Sequence, residues 1–294
     1  MYKISFPARR DADNDQLVNI SLPFPCEVHL NYPRFKKWQK PFRKIKNKKF
    51  RVLTHYTEAI PLKSGRENLF KFADCFDLIL TNEEDLFEMD NVYPEICLFG
   101  GNVPSLSPRN PPSSKEFSVS NLYSAGTTSA LKIADSNFFE GYEIRKIIWK
   151  KKEQIKIPKR FYTSSFREPN VEDLNPYNFE LKDEIMKSMF SLVIENSIEE
   201  NFFSEKLLDC LRTYTIPIYF GCKNIGKYFD IRGMIIPNNI DDAIAKINNL
   251  DKNSYSLMSK FVARNFLLAA KYTSHANLMT KYIIDGKNWL ENKV

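Results

Sequence analysis

The 294-residue chain is poor in glycine (nine residues) and histidine (three), and its five cysteines are scattered. Nine Gly and sixteen Pro, beside twenty-three Phe and fourteen Tyr, exclude collagen-like, linker-like and low-complexity readings and favour an aromatic-rich globular core. Cys26, Cys75, Cys97, Cys210 and Cys222 are odd in number and never spaced as CxxC. They outline neither a disulfide framework nor a zinc knuckle and read as reduced packing residues. His29, His55 and His275 show no HxxxH or HExxH spacing, which argues against a zinc site. The patterns GxGxxG, GxxxxGKS/T and GxSxG are also missing, against dinucleotide oxidoreductase, P-loop and α/β-hydrolase readings. The longest apolar runs, such as Phe190 to Ile194 and Ile216 to Phe220, fall far short of the roughly 20 residues that a bilayer span needs, so no spanning segment is expected. The start, MYKISFPARRDADND, lacks the charged region, apolar middle and cleavage site of a secretory signal, which makes the cytosol the expected location.

With 43% hydrophobic and 27% charged positions, the chain is long enough for two ordinary domains and carries no sign of disorder. Its net charge of +7 is a moderate excess of 43 basic over 36 acidic residues, and its distribution is more informative than its size. Nine Lys or Arg lie between Lys36 and Arg51, interleaved with Trp38, Phe42 and Phe50, and a second run spans Arg145 to Arg160 around Trp149. Both runs attract anions: a nucleotide, an anionic lipid surface touched peripherally, or a nucleic acid. The plain alternative is a solvated face whose aromatics pack inward. No RNP, zinc-finger or helix-turn-helix pattern accompanies them, so nucleic acid is not an expected partner.

Short apolar runs alternate with helical patterns, the mark of parallel α/β units. Strands are expected near Tyr2 to Phe6, Arg51 to Thr54, Phe76 to Thr81 and Ile96 to Phe99. In the second half they are expected at Phe161 to Ser164, Phe190 to Ile194, Ile216 to Phe220 and Gly233 to Ile236. Residues 104 to 118, rich in Pro and Ser, read as a long loop. Leu257, Phe261 and Leu268, then Leu278, Tyr282, Ile283 and Leu290, recur at helical spacing, so the chain ends in helices.

The most informative stretch is FSLVIENSIEENFFSEKLLDCLRTYTIPIYFG, residues 190 to 221. FSLVI and IPIYF read as buried strands; between them Ser204 is a good N-cap, and Leu207, Leu208, Leu211 and Tyr214 mark one face of a helix. In a parallel sheet the loop leaving a strand's carboxyl end lies on the ligand-binding edge, and the next helix aims its N-terminus there, where anions are favoured. Lys206 opposes the helix dipole and calls for compensation, which a bound diphosphate would supply. Glu205 suits the hydroxyls of a sugar or ribose, and Glu195 and Asn196 suit similar polar work. On spacing alone these residues equally make a turn, a helix start and an exposed lysine.

This stretch closely resembles the donor-binding motif of the family 10 glycosyltransferases, the α-1,3/1,4-fucosyltransferases. That pattern is a strand, FENS or FENT, a short loop, TEK, a helix, and a VPI or IPI strand ending in Gly. The resemblance puts Asn196, Glu205 and Lys206 at the nucleotide sugar, with Glu205 on ribose and Lys206 on phosphate. Phe202 stands where the family often has Tyr, keeping a stacking surface without the hydroxyl, and Ser204 in place of Thr keeps the capping hydroxyl. HYTEAI, followed by FADCFDLILT, resembles the N-terminal segment that carries the catalytic base, which nominates Glu58, with His55 beside it touching acceptor or donor. TSSFREPN resembles the segment that supplies a phosphate-binding arginine, which nominates Arg167, although the spacing is compressed.

What the resemblance implies is an α/β, GT-B-like protein, two Rossmann-like domains facing a cleft. The expected division is an acceptor-side domain over 1–150, a donor domain over 151–272 and a terminal helix over 273–294 packing back on the first. The implied activity is inverting, metal-independent transfer of a sugar, GDP-fucose being the favoured nucleotide-sugar donor, to a hydroxyl of a glycan acceptor, with no cofactor required. Asp11, Asp13 and Asp15 form the DxD spacing that binds metal in the other large glycosyltransferase fold, but in so polar a stretch they read as a solvated turn. The alternative is a noncatalytic nucleotide-sugar or glycan-binding module that docks through its basic aromatic patches.

Overall fold

The computed structural model describes residues 1–7, 17–30, 49–55, 69–70, 72–98, 114–123, 140–163, 184–272 and 274–293. Among them the strands are β1 (Tyr2–Pro7), β2 (Leu17–Leu22), β3 (Cys26–Leu30), β4 (Phe50–His55), β5 (Leu78–Thr81), β6 (Glu116–Tyr123), β7 (Lys159–Thr163), β8 (Ser188–Ile194) and β9 (Ile216–Phe220). The α-helices are α1 (Glu140–Lys150), α2 (Glu205–Leu211), α3 (Ile240–Asn248), α4 (Lys252–Ala269) and α5 (His275–Asn292). The chain divides into two compact units, Met1–Val103 with Ser274–Val294, and Pro104–Thr273.

In the first unit β1 and β2 form an antiparallel pair, while β3, β4 and β5 form a parallel sheet in that order. Val52 and Leu53 of β4 and Leu78, Ile79 and Leu80 of β5 are wholly buried, as in a parallel sheet covered on both faces. Helix α5 lays Met279, Tyr282 and Ile283 into the core shared by Leu22, Val52 and Leu78. Gly286 permits that approach, because a Cβ there would lie 2.7 Å from Leu78 Cδ2. The Tyr282 hydroxyl accepts a hydrogen bond from the Leu98 N–H at 3.2 Å, fixing the helix to the chain beyond β5.

The second unit is built on a parallel sheet of order β7-β6-β8-β9. Its central apolar segments SMFSLVI and IPIYF are almost completely buried, which is why their hydrophobic content is nearly unbroken rather than alternating. Pro217 is tolerated in β9 because its nitrogen faces the outer side of the strand. There Ile235 donates to the Pro217 carbonyl at 2.9 Å and accepts from the Tyr219 N–H at 2.8 Å, so no bond to β8 is lost. Val119, Ile148, Phe190, Ile216, Ile218, Ile244 and Val262 share one core. A reciprocal cap between Asp251 and Ser254 starts α4.

Several sequence expectations need correction. The division falls at 103/104 rather than near residue 150, because β6 pairs with β7 and β8 and thereby belongs to the second unit. The loop expected over 104 to 118 yields to β6 at Glu116; its alternating EFSVSNLY is short and follows directly on a Pro-rich stretch. Residues 96 to 98 form no strand, although Cys97 donates to the Thr81 carbonyl at 2.9 Å, and Gly233 to Ile236 contributes one bridge, Ile218 to Ile235. In α4 the buried face is Val262, Asn265 and Ala269, with Leu257 left 68% exposed. The 3.6-residue period was legible there, but the apolar residues chosen to mark the face were about a third of a turn off.

Candidate functional site

The site starts where β8 stops being apolar. Glu195 follows Ile194 at the carboxyl end of the strand, and its N–H still donates to the Phe220 carbonyl of β9 at 2.8 Å. Its side chain is therefore drawn inside and is wholly buried. There Oε1 accepts the Ser204 N–H at 2.9 Å and Oε2 accepts the Ser204 Oγ–H at 2.6 Å. Burial raises the Glu195 carboxyl above its ordinary range, against the opposing pull of the Lys206 charge and the two Ser204 bonds. This carboxylate ties the end of the strand to the start of α2, nine residues later.

Ser204 caps α2, its hydroxyl oxygen accepting the Lys206 N–H at 3.3 Å. The Lys206 ammonium donates to the same oxygen at 3.1 Å and lies 3.4 Å from Glu205 Oε1 and 3.8 Å from Glu195 Oε2. Lys206 thus finds partners against the helix dipole inside the chain, the Ser204 hydroxyl and the Glu205 carboxylate, without requiring a bound diphosphate. Of this group only the outermost side chains reach solvent, Lys206 at 32% and Glu205 at 19% exposure. The arrangement presents one cation and one carboxylate on a rigid buried base. Such a pair can hold a phosphate oxygen and accept hydrogen bonds from hydroxyls.

The loop between β8 and α2 is fastened as well. Asn201 takes a left-handed conformation (φ 54°), which Asn adopts more readily than most residues. Its N–H donates to Asn224 Oδ1 at 2.9 Å, and Asn224 Nδ2 donates back to Asn201 Oδ1 at 2.8 Å. Phe203 packs against the rings of Tyr228, Phe229 and Tyr272. Phe202 is only 2% exposed, so the ring expected to stack on a ligand is here an interior group that anchors the loop.

Asn196 is almost buried, and its Oδ1 accepts a hydrogen bond from an Arg145 terminal nitrogen at 2.7 Å. Arg145, 3% exposed, also donates through Nε and a terminal nitrogen to the Ile194 carbonyl and stacks on Tyr142. Helix α1 can come this close because Gly141 has no side chain: a Cβ would sit 1.7 Å from the Glu195 carbonyl oxygen. Among the described residues Arg145 is an arginine that the fold brings to this strand end; the nominated Arg167 lies outside the described residues, as do Glu58 and the Asp11, Asp13 and Asp15 run. The signal for Arg145 was in its spacing. It stands four residues after Gly141 and three before Ile148, on the helix face that turns inward.

The remaining basic residues of that second cluster are largely used internally. Lys151 meets Asp241 at 2.6 Å, Lys159 meets Glu153 at 2.8 Å, and Arg160 pairs with Glu116 and Glu184. Most of the first cluster, residues 36 to 48, lies outside the described residues. No helix among the described residues is long and apolar enough to cross a membrane, and no cluster of three or more His, Cys, Asp or Glu among them could hold a metal ion.

In the first unit His55 ends β4 and is completely buried, so it does not present itself to a substrate. Its Nε2 meets Glu83 Oε1 at 2.7 Å. Glu83, not singled out in the sequence, stands just past the end of β5; its N–H donates to Thr81 Oγ1 at 3.1 Å and its side chain is 25% exposed.

No protein-family model matches the chain. It is 33% identical over 85 residues to the α-(1,3)-fucosyltransferase FucT of Helicobacter pylori, a match that takes in 27% of this chain and 18% of that protein. The chain therefore matches less than a fifth of that relative's length. Among solved structures it is similar to an α1,3-fucosyltransferase with GDP-fucose, with a TM-score of 0.51 and 15% identity over 81% of this chain and 82% of the other. It is similar also to an α1,3-fucosyltransferase with GDP, with a TM-score of 0.51 and 15% identity over 93% of each chain. At that identity the likeness concerns the fold, which is the α/β, GT-B-like one that the sequence led us to expect. The chain resembles the α-1,3-fucosyltransferases, in sequence over a short stretch and in fold over most of its length.

Proposed function

We propose that the protein is a glycosyltransferase that moves a sugar from a nucleoside diphosphate donor, GDP-fucose by preference, to a hydroxyl of a glycan acceptor with inversion at the anomeric carbon. The observation that carries this reading is a coincidence of position. The ENS and SEK triplets that resemble the fucosyltransferase motif lie at the end of β8 and the start of α2, where Lys206 and Glu205 are the side chains that reach solvent. The fold likeness to an enzyme holding GDP-fucose supports the same reading.

In this reading Lys206 takes the charge that grows on the departing diphosphate and Glu205 accepts hydrogen bonds from the ribose. Arg145 and Asn196 fix the strand end on which both depend. Glu195 and Ser204 hold the start of α2 in place. The acceptor hydroxyl passes its proton to a carboxylate as its oxygen attacks the anomeric carbon; the resemblance puts Glu58 in that place, outside the described residues.

Calorimetry with GDP, UDP and CMP, followed by measurement of GDP-fucose turnover, tests the proposal. The expected result is a preference for GDP, with affinity in Lys206→Ala weakened by about 10- to 100-fold, as for loss of a charged hydrogen bond worth about 1.5–3 kcal/mol. Equal GDP affinity in parent and Lys206→Ala would remove Lys206 from the site. GDP binding without turnover of any sugar donor would leave a binding module in place of an enzyme.

A further inference from the structure

Helix α4 presents a surface that the candidate site does not use. From Lys252 to Ala269 it contains no Asp or Glu, and the side chains it buries are Val262, Asn265 and Ala269. On its other side Leu257 and Leu267 are each more than two thirds exposed. At about 100° per residue those leucines lie roughly 80° apart around the helix and about 15 Å apart along it, and Lys260 and Arg264 fall between them in both directions. Lys271, just beyond the helix, is exposed as well. The short turn Ile231–Gly233 is fastened beside this face. Asn265 accepts the Asp230 N–H at 2.8 Å and donates to the Asp230 carbonyl at 2.9 Å, and a Cβ on Gly233 would lie 3.0 Å from the Phe261 carbonyl oxygen. The turn adds a half-exposed Ile231 and Arg232, whose guanidinium stands 4.3 Å from the centre of the Phe261 ring.

Single exposed leucines are ordinary; leucines set among cations that find no internal partner are not. Asp230, itself nearly buried, is shared by Arg232 and Arg264. Lys260 and Lys271 form no ion pair among the described residues. In the run Arg145 to Arg160, by contrast, Lys151, Lys159 and Arg160 all meet carboxylates. A face of this kind is complementary to the boundary of an anionic bilayer, where phosphates lie just above acyl chains. Long basic side chains reach the phosphates while aliphatic ones enter below them. A nucleic acid would engage the cations and leave the leucines in water, and a second copy of the same face would set cation against cation.

We infer that this face of α4, with the turn at Ile231–Gly233, docks the protein on an anionic lipid surface. Leu257 and Leu267 enter the acyl boundary, and Arg232, Lys260, Arg264 and Lys271 meet the lipid phosphates. The inference holds whether or not the protein transfers sugars, because none of these residues belongs to the site at the start of α2.

Flotation of the full chain with vesicles tests it, using phosphatidylcholine alone or with about one third phosphatidylglycerol, over about 0.05 to about 0.5 M salt. The parent is compared with Leu257→Ser plus Leu267→Ser, with Lys260→Gln plus Lys271→Gln, and with Lys44→Gln plus Lys46→Gln in the other basic run. Expected is binding to the anionic vesicles that weakens as salt rises, and none to phosphatidylcholine alone. The Lys260 and Lys271 pair should weaken binding about 25-fold, about fivefold for each cation, and the leucine pair about 10-fold or more. All four positions are exposed, so thermal midpoints within about 2 °C of the parent show that the fold is kept. Absence of binding at the lowest salt overturns the inference. So does affinity within about twofold of the parent in the leucine pair, and so does a loss confined to the Lys44 and Lys46 pair, which would place docking on the other run. Binding of a single-stranded oligonucleotide equally by parent and leucine pair, without vesicle binding, replaces the lipid surface by a nucleic acid and overturns it too.

Discussion

Replacing Glu195 by alanine takes away the acceptor that joins the end of β8 to α2. Two donors lose their partner, the Ser204 N–H at 2.9 Å and the Ser204 hydroxyl at 2.6 Å, both inside the second unit. An unsatisfied buried donor costs about 1–3 kcal/mol, and the hydroxyl, which can rotate, falls at the low end. Lys206, 3.8 Å away and a third exposed, returns to water at small cost. The sum is about 3 kcal/mol. For a unit of this size that lowers the thermal midpoint by about 6–12 °C. Glutamine keeps an acceptor for the Ser204 N–H and carries no buried charge, so Glu195→Gln stays within about 1 kcal/mol of the parent at neutral pH. The pH dependence has a definite sign. Burial raises the Glu195 carboxyl, so the folded state holds the proton more tightly than the unfolded one. The parent's advantage over Glu195→Gln is then largest at low pH and declines as the pH rises from the ordinary Glu range through the raised value. Urea denaturation of the three proteins across pH measures these differences. An Ala variant within about 1 kcal/mol of the parent would refute the account of Glu195 as the tie between strand and helix.

Gly141→Ala forces a methyl group to within 1.7 Å of the Glu195 carbonyl oxygen unless α1 moves away from the β8 end. A loss of about 3 kcal/mol in chemical denaturation is expected, and parent-like stability would show that the contact is not kept in solution. Asp230 is held at about 2 by its hydrogen bonds to Arg232, with Arg264 adding to the effect. Its contribution to stability is therefore complete above the ordinary Asp range and is lost as the pH falls from about 4 toward that value. Asp230→Asn should flatten the acid limb of the stability profile, and an unchanged acid midpoint would contradict the pairing.

What the residues alone determined is the parallel α/β character of the chain and the place of its principal motif. Unbroken apolar runs such as FSLVI and IPIYF announce strands covered on both faces, and Ser204 before Glu205 announces a helix start; these are local properties that tertiary contacts reinforced. The C-terminal helices were legible for the same reason. Whether a polar residue near the motif faces a ligand or the interior was not legible, because exposure depends on what packs over it. Glu195 and Phe202 looked like ligand contacts and are interior anchors, while Arg145 looked like part of a solvated basic run and is locked onto Asn196. The pairing of His55 with Glu83 joins residues 28 apart through the parallel register of β4 and β5. No spacing rule within one segment contains it. Only the sheet brings those two side chains to one edge.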